Sequence, residues 1–215
     1  MSIEANERFP IMCLTQDGLP LDHVEQTRRL CAAGARWIQL RMKGAAADAW
    51  LATAREVVAV CRAHGALCIV NDSVEVALAS DADGVHLGKY DRDWHEARRH
   101  LGSRRILGGT VNNLHDAARA VASCCLDYVG VGPLRFTTTK KNLAPVLGID
   151  GVRELIAALG HLPAWAIGGV RPGDLPGVQA ADAAGVAVSS SLFADGDIGR
   201  HFQSYLAAWP QTILP

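Results

Sequence analysis

A chain of 215 residues, 49% of them hydrophobic, is long enough for one well-buried core, and a formal net charge of −1 gives no reason to expect nucleic acid or an anionic membrane as partner. No apolar run is long enough to span a bilayer, and the opening MSIEANERFP, with acidic residues and no apolar centre, reads as neither a signal nor a transit peptide. The expected location is the cytoplasm.

In chain order, eight short β-branched or apolar runs read as strands: IMCLT from 11, WIQLRM from 37, LCIVN from 67, GVHLG from 84, RILGGT from 105, YVGVG from 128, AWAIGG from 164 and VAVSS from 186. Between them lie segments such as LDHVEQTRRLCAAG, DAWLATAREVVAVCRAHG and NLHDAARAVASCC, whose apolar residues recur at steps of three and four. These read as amphipathic helices. Near-continuous apolar strands alternating with helices indicate a parallel sheet covered on its outer face. Eight such units in one uninterrupted chain fit a single-domain (β/α)8 TIM barrel over residues 1–215, with an open doubly wound sheet as the alternative. The six cysteines fall mostly inside apolar runs without zinc-site spacing and read as buried free thiols; Cys124 and Cys125, adjacent at the close of a helix, lack a CxxC spacing.

In such a barrel the chemistry gathers where the carboxyl ends of the strands open into loops. Strands two to eight all end in polar or glycine-rich residues there: QLRMK, ND, HLGKYD, Thr110, TTTKK, GG and SSS. Asp72 and Asp91 follow neighbouring strands and together suit Mg2+, which takes one or two carboxylates and completes its shell with water and phosphate oxygens. Taken singly, Asp72 reads as an N-cap of the helix SVEVALA and Asp91 as a turn or cap before DWHEARRH. Arg41, Lys43 and Lys140 supply positive charge for a diphosphate. The threonines 137–139 supply hydroxyls, and Gly168, Gly169, Ser189 and Ser190 end the last two strands, where barrels of this kind often cradle a phosphate. His86 reads as a packed, hydrogen-bonded histidine.

On the motifs QLRMK, VNDSVEVALASDADGVHLGKYD, YVGVGPLRFTTTKK, AIGG and GVAVSS the chain resembles the thiamine phosphate synthase family over almost its whole length. The resemblance implies an enzyme that joins hydroxymethylpyrimidine diphosphate to hydroxyethylthiazole phosphate, releasing diphosphate, with Mg2+ as cofactor. It implies C–O bond cleavage before attack by the thiazole nitrogen, without a protein nucleophile. By position, Gln39, Leu40, Arg41, Met42 and Lys43 contact the pyrimidine diphosphate together with Asn71, Thr110 and Lys140. Asp72 and Asp91 ligate the metal. Thr137, Thr138, Thr139, Gly169, Ser189 and Ser190 hold the thiazole phosphate, and Arg41, Lys43 and Lys140 carry the catalytic charge. The chain departs from the usual family pattern at Ser73, Asn112 and Arg135–Phe136, none of which is an assigned metal or diphosphate ligand. Two other readings are a thiazole tautomerase, whose members lack the second aspartate and the threonine-lysine loop, and an inactive ligand-binding relative, against which Arg41, Asp72, Asp91 and Lys140 speak.

Overall fold

The computed structural model of the chain describes residues 9–137 and 144–209. Eight strands, Ile11–Leu14 (β1), Trp37–Leu40 (β2), Leu67–Asn71 (β3), Gly84–Leu87 (β4), Ile106–Val111 (β5), Tyr128–Val131 (β6), Ala164–Ile167 (β7) and Gly185–Val188 (β8), pair in parallel in chain order. β8 pairs with β1 through Ile11–Val186 and Cys13–Val188, so the sheet is a closed barrel and not an open one. The helices His23–Ala32 (α1), Ala47–Ala63 (α2), Val74–Ala79 (α3), Trp94–Leu101 (α4), Leu114–Ser123 (α5), Gly148–Leu159 (α6), Leu175–Gln179 (α7) and Ile198–Ala208 (α8) alternate with them.

The boundaries follow local chemistry. Asp22, Ser73, Asp93 and Asn113 each place a side-chain oxygen on a first-turn amide, starting α1, α3, α4 and α5. β5 runs one residue past Thr110, because Val111 still pairs with Val131 of β6. α5 ends at Ser123, one residue before the adjacent cysteines: Cys124 turns left-handed at φ 50° and returns its N–H to Val121. All six cysteines are free thiols, four of them buried.

Strand residues alternate between two cores. Outward residues such as Ile38, Leu40, Val70, Val85 and Val129 pack under the helices. Inward residues fill the barrel around three aromatics, Trp37, Tyr128 and Trp165, all fully buried, with ring centroids 4.9–5.6 Å apart. Neighbouring inward positions are small in compensation. A side-chain carbon at Gly108 would overlap the Tyr128 ring.

Gly108→Ala is therefore expected to lower stability by about 1–3 kcal/mol, since a filled interior cannot yield to an inserted methyl group. Gly199→Ala in α8 meets only ordinary contacts, 3.8 Å from Asp197 and 3.9 Å from Ala33. It should hold stability or raise it by up to about 1 kcal/mol through helix propensity. Urea unfolding of both variants checks the contrast; equal midpoints would show that the barrel interior has slack.

Candidate active site

Above the aromatic floor the barrel opens into a cavity of about 500 Å³. Its wall residues lie two positions further along the same strands as the floor residues: Trp37 leads to Gln39, Ile69 to Asn71, Gly84 to His86, Gly108 to Thr110 and Ala187 to Ser189. Another step of two reaches Arg41, Gly88 and Asn112, which also line the cavity. The floor and the lower wall are tied by hydrogen bonds. His86 lies 3.1 Å through Nδ1 from the Tyr128 hydroxyl and 3.0 Å through Nε2 from Thr110 Oγ1. It is a hydrogen-bonded wall residue, as the sequence suggests.

The arc β2–β4 carries the charged groups. Asp72 has a left-handed backbone, φ 72°, and leaves the capping of α3 to Ser73, so its carboxylate is free of that role. Asp93, likewise, caps α4 in place of Asp91. Asp91 accepts the Gly88 N–H at 2.6 Å, a turn contact that holds it beside Asp72. Partial burial pushes the Asp91 carboxyl above the usual carboxylate range, and the adjacent Asp72 carboxylate pushes it further. The Lys43 ammonium pairs with Asp72 from β2's side. Two carboxylates held in contact with a nearby cation are stabilised by additional positive charge, and they fit a divalent ion of the Mg2+ type. Among the described residues no group of three His, Cys, Asp or Glu side chains forms a metal cage, so any such ion would take its remaining oxygens from ligand and water.

The arc β6–β8 is built differently. Gly168 and Gly169 both have positive φ, 93° and 66°, and turn the chain sharply after β7. A Cβ on Gly168 would come within 2.6 Å of Pro133, and one on Gly169 within 2.9 Å of Arg135, so both glycines also serve close packing of the β6 and β7 loops. Ser189 Oγ is buried against the cavity with no hydrogen-bond partner among the described residues. A buried hydroxyl without a partner costs free energy, which a ligand oxygen would recover. Arg135 clamps this arc: its N–H donates to Gly168 O at 2.9 Å, and its guanidinium makes two bonds to Asp174, one of 3.2 Å. Arg135 holds the Asp174 carboxyl below the usual carboxylate range.

Gln39, Arg41, Lys43, Asn71, Asp72, Thr110, Thr137, Gly169, Ser189 and Ser190 thus share one cavity. Asp91 stands behind Gly88, touching Asp72 and not the cavity wall. The side chains of Leu40 and Met42 fall on the opposite phase of the strand alternation and pack into the core beneath the helices, which leaves only their backbone to face a ligand. Thr138, Thr139 and Lys140 lie outside the described residues. Arg171 and Ser191, neither of them assigned a ligand above, also line the cavity after β7 and β8; Ser191 closes the SSS run, and each lies two residues past an assigned glycine or serine, the spacing that marks it in the sequence.

A sequence model of the family described as thiamine monophosphate synthase matches residues 11–192. The chain belongs to the thiamine monophosphate synthase family. A thiamine-phosphate synthase of Myxococcus xanthus is 41% identical over 205 residues, covering 95% of this chain and 93% of that one. One from Bacteroides fragilis is 41% identical over 174 residues, covering 79% and 85%. The solved structure of a thiamine phosphate pyrophosphorylase from Pyrococcus furiosus superposes with a TM-score of 0.85 at 28% identity, covering 95% of this chain and 97% of that one. This member of the thiamine monophosphate synthase family is accordingly a transferase with a single closed (β/α)8 barrel.

The Arg135–Asp174 pair gives a test of the clamp. Because the folded-state pKa of Asp174 is depressed, its stabilisation is present above the unfolded value near 3.8 and is lost as pH falls through the lower folded value. Arg135→Met should raise the Asp174 pKa toward 3.8 in a carboxyl NMR titration. It should also melt below the parent at neutral pH and converge with it in stronger acid. An unchanged Asp174 titration would show that the pair does not persist in solution.

Proposed function

We propose that the cavity joins hydroxymethylpyrimidine diphosphate to hydroxyethylthiazole phosphate, yielding thiamine phosphate and diphosphate. The observation that carries this reading is the division of one cavity into two anion-binding arcs, a carboxylate and cation cluster on β2–β4 and a glycine–serine cradle on β6–β8. Two phosphorylated substrates placed on facing arcs have their reacting atoms brought together between them, which is where most of the rate would come from.

Asp72 and Asp91 would hold Mg2+. Bound there, the ion would neutralise diphosphate oxygens and so improve the leaving group. Arg41 can grip two diphosphate oxygens in its planar fork while Lys43, already beside Asp72, adds a compact positive charge. Gln39, Asn71 and Thr110 form the wall against which the pyrimidine would be oriented. Thr137, Gly169, Ser189 and Ser190 would take the thiazole phosphate, and the buried Ser189 hydroxyl supports that choice. Thr138, Thr139 and Lys140 are assigned on the resemblance alone, Lys140 to the departing diphosphate. A tautomerase would need only the β6–β8 arc; the paired carboxylates on the other arc favour the synthase. Six free thiols agree with a cytoplasmic setting.

Purified protein with both phosphorylated precursors and Mg2+ should produce thiamine phosphate and diphosphate in equal amounts. Asp72→Asn and Asp91→Asn should each lower kcat by about a hundredfold or more with unchanged circular dichroism. Full turnover of either variant in limiting Mg2+ would remove the metal assignment.

Lys140→Ala should slow single-turnover bond cleavage more than it weakens substrate binding, because charge on the leaving group grows toward the transition state. Lys141→Ala serves as the control for general loss of positive charge. A Lys140→Ala enzyme that keeps its single-turnover rate and needs only more substrate would make Lys140 a ground-state contact.

A further inference from the structure

β2 ends at Leu40, yet Arg41 and Lys43, the residues read above as the diphosphate grip, lie one and three positions beyond it. Past the end of a strand the backbone has lost its ladder, and side chains placed there are only as well aimed as the loop is held. The partners come from the β1 loop. The Arg41 N–H donates to Thr15 Oγ1 at 3.1 Å, and the Lys43 N–H donates to Asp17 Oδ2 at 3.1 Å. Thr15 also extends the β1–β2 ladder by giving its own N–H to Gln39 O at 3.0 Å.

One buried histidine joins the two acceptors. His23, the first residue of α1, is 8% exposed; its Nδ1 lies 2.9 Å from Thr15 Oγ1 and its Nε2 3.1 Å from Asp17 Oδ1. With a neutral imidazole the proton inventory gives the directions. Ionised Asp17 only accepts, so Nε2 carries the hydrogen; Nδ1 is then left to accept from the Thr15 hydroxyl, whose oxygen accepts from Arg41. Every donor in the ring has one acceptor. The loop around it is stitched from α1 as well: fully buried Gln26 accepts from Gln16 N and donates to Gln16 O and Leu21 O, each at 2.8 Å.

We infer that Thr15, His23 and Asp17 are positioning residues for the pyrimidine diphosphate site, setting the backbone of Arg41 and Lys43 from a loop that itself touches no assigned ligand. The inference rests on the reading of Arg41 and Lys43 as diphosphate contacts. Thr15 is fully buried, so Thr15→Val keeps its shape and removes only the hydroxyl, leaving the Arg41 amide and His23 Nδ1 without their shared partner.

The test combines calorimetry of inorganic diphosphate with Mg2+ and steady-state kinetics in both substrates, on Thr15→Val, Thr15→Ser, Asp17→Ala and Arg41→Gln. Thr15→Val should weaken diphosphate binding and raise KM for the pyrimidine diphosphate by about tenfold, with KM for the thiazole phosphate within about twofold. Thr15→Ser, which restores the hydroxyl, should recover most of that loss. Asp17→Ala, at a partly exposed loop position, should show the same split to a smaller extent. Equal losses for both substrates would mean general packing and overturn the inference. So would parent-like diphosphate binding in Thr15→Val and Asp17→Ala while Arg41→Gln has lost it. Parent-like binding in Arg41→Gln would instead overturn the diphosphate reading on which the inference stands.

Discussion

The structure depends on one packing constraint: the barrel interior is closed by Trp37, Tyr128 and Trp165, with Tyr128 edge to face on both tryptophans at 5.3 and 5.6 Å and the tryptophans tilted against each other at 4.9 Å. Aromatic pairs of this geometry contribute about 0.5–1.5 kcal/mol each beyond the area they bury. Their larger effect is geometric. A floor of rigid rings fixes which phase of each strand faces inward, and strand periodicity then carries that phase upward. The residue two steps above each floor position must face the cavity, and the residue one step above must face the helices. Gln39 and Arg41 line the site while Leu40 between them is lost to the outer core, for this reason alone.

The same constraint separates the chemistry into arcs. Neighbouring strands deliver neighbouring loops, so Lys43 from β2, Asp72 from β3 and Asp91 from β4 meet. Burial first, and then the adjacent Asp72 carboxylate, push the Asp91 carboxyl above the usual carboxylate range, while the Lys43 ammonium acts against that shift. Facing them, the β6–β8 arc offers turned backbone and hydroxyls, with no comparable acid cluster among the described residues. On the proposed reading the carboxylate-bearing arc would take a metal with its diphosphate, and the hydroxyl-lined arc a monophosphate directly.

The barrel was legible because its eight strands are short, nearly all apolar and regularly spaced, and polar residues collect at their carboxyl ends. The alternation was legible too: within QLRMK it separates the side chains of Gln39, Arg41 and Lys43, which line the cavity, from those of Leu40 and Met42, which pack outward. What could not be read was anything made by partners far apart in sequence. Arg135 and Asp174 meet across 39 positions, and Arg41 finds Thr15 across 26. Thr15, Gln16 and Asp17 after strand one carry no ligand signature of their own in the sequence, yet their loop holds the backbone of the strand-two cations. Capping was legible only to within a residue or two: Asp72 and Ser73 are adjacent and both suit an N-cap, and only the left-handed turn at Asp72 releases it for other work.

The departures from the family pattern gain a physical account from the same contacts. Ser73 caps α3. Asn112, at the end of β5, donates its side-chain amide to Gly132 O at the end of β6, and its own N–H is taken at 3.2 Å by Asp116. Arg135 then joins the β6 loop to the β7 loop through Asp174, which also accepts the Arg171 N–H at 2.9 Å. Asn112 and Arg135 thus tie successive loops β5 to β6 and β6 to β7 with side-chain bonds, on the side away from the Lys43–Asp72–Asp91 cluster. If the grip on the diphosphate is shared with the family, these ties act on the other arc. They hold Arg135 and its neighbours against Gly168 and Gly169, where the proposed reading puts the second phosphate.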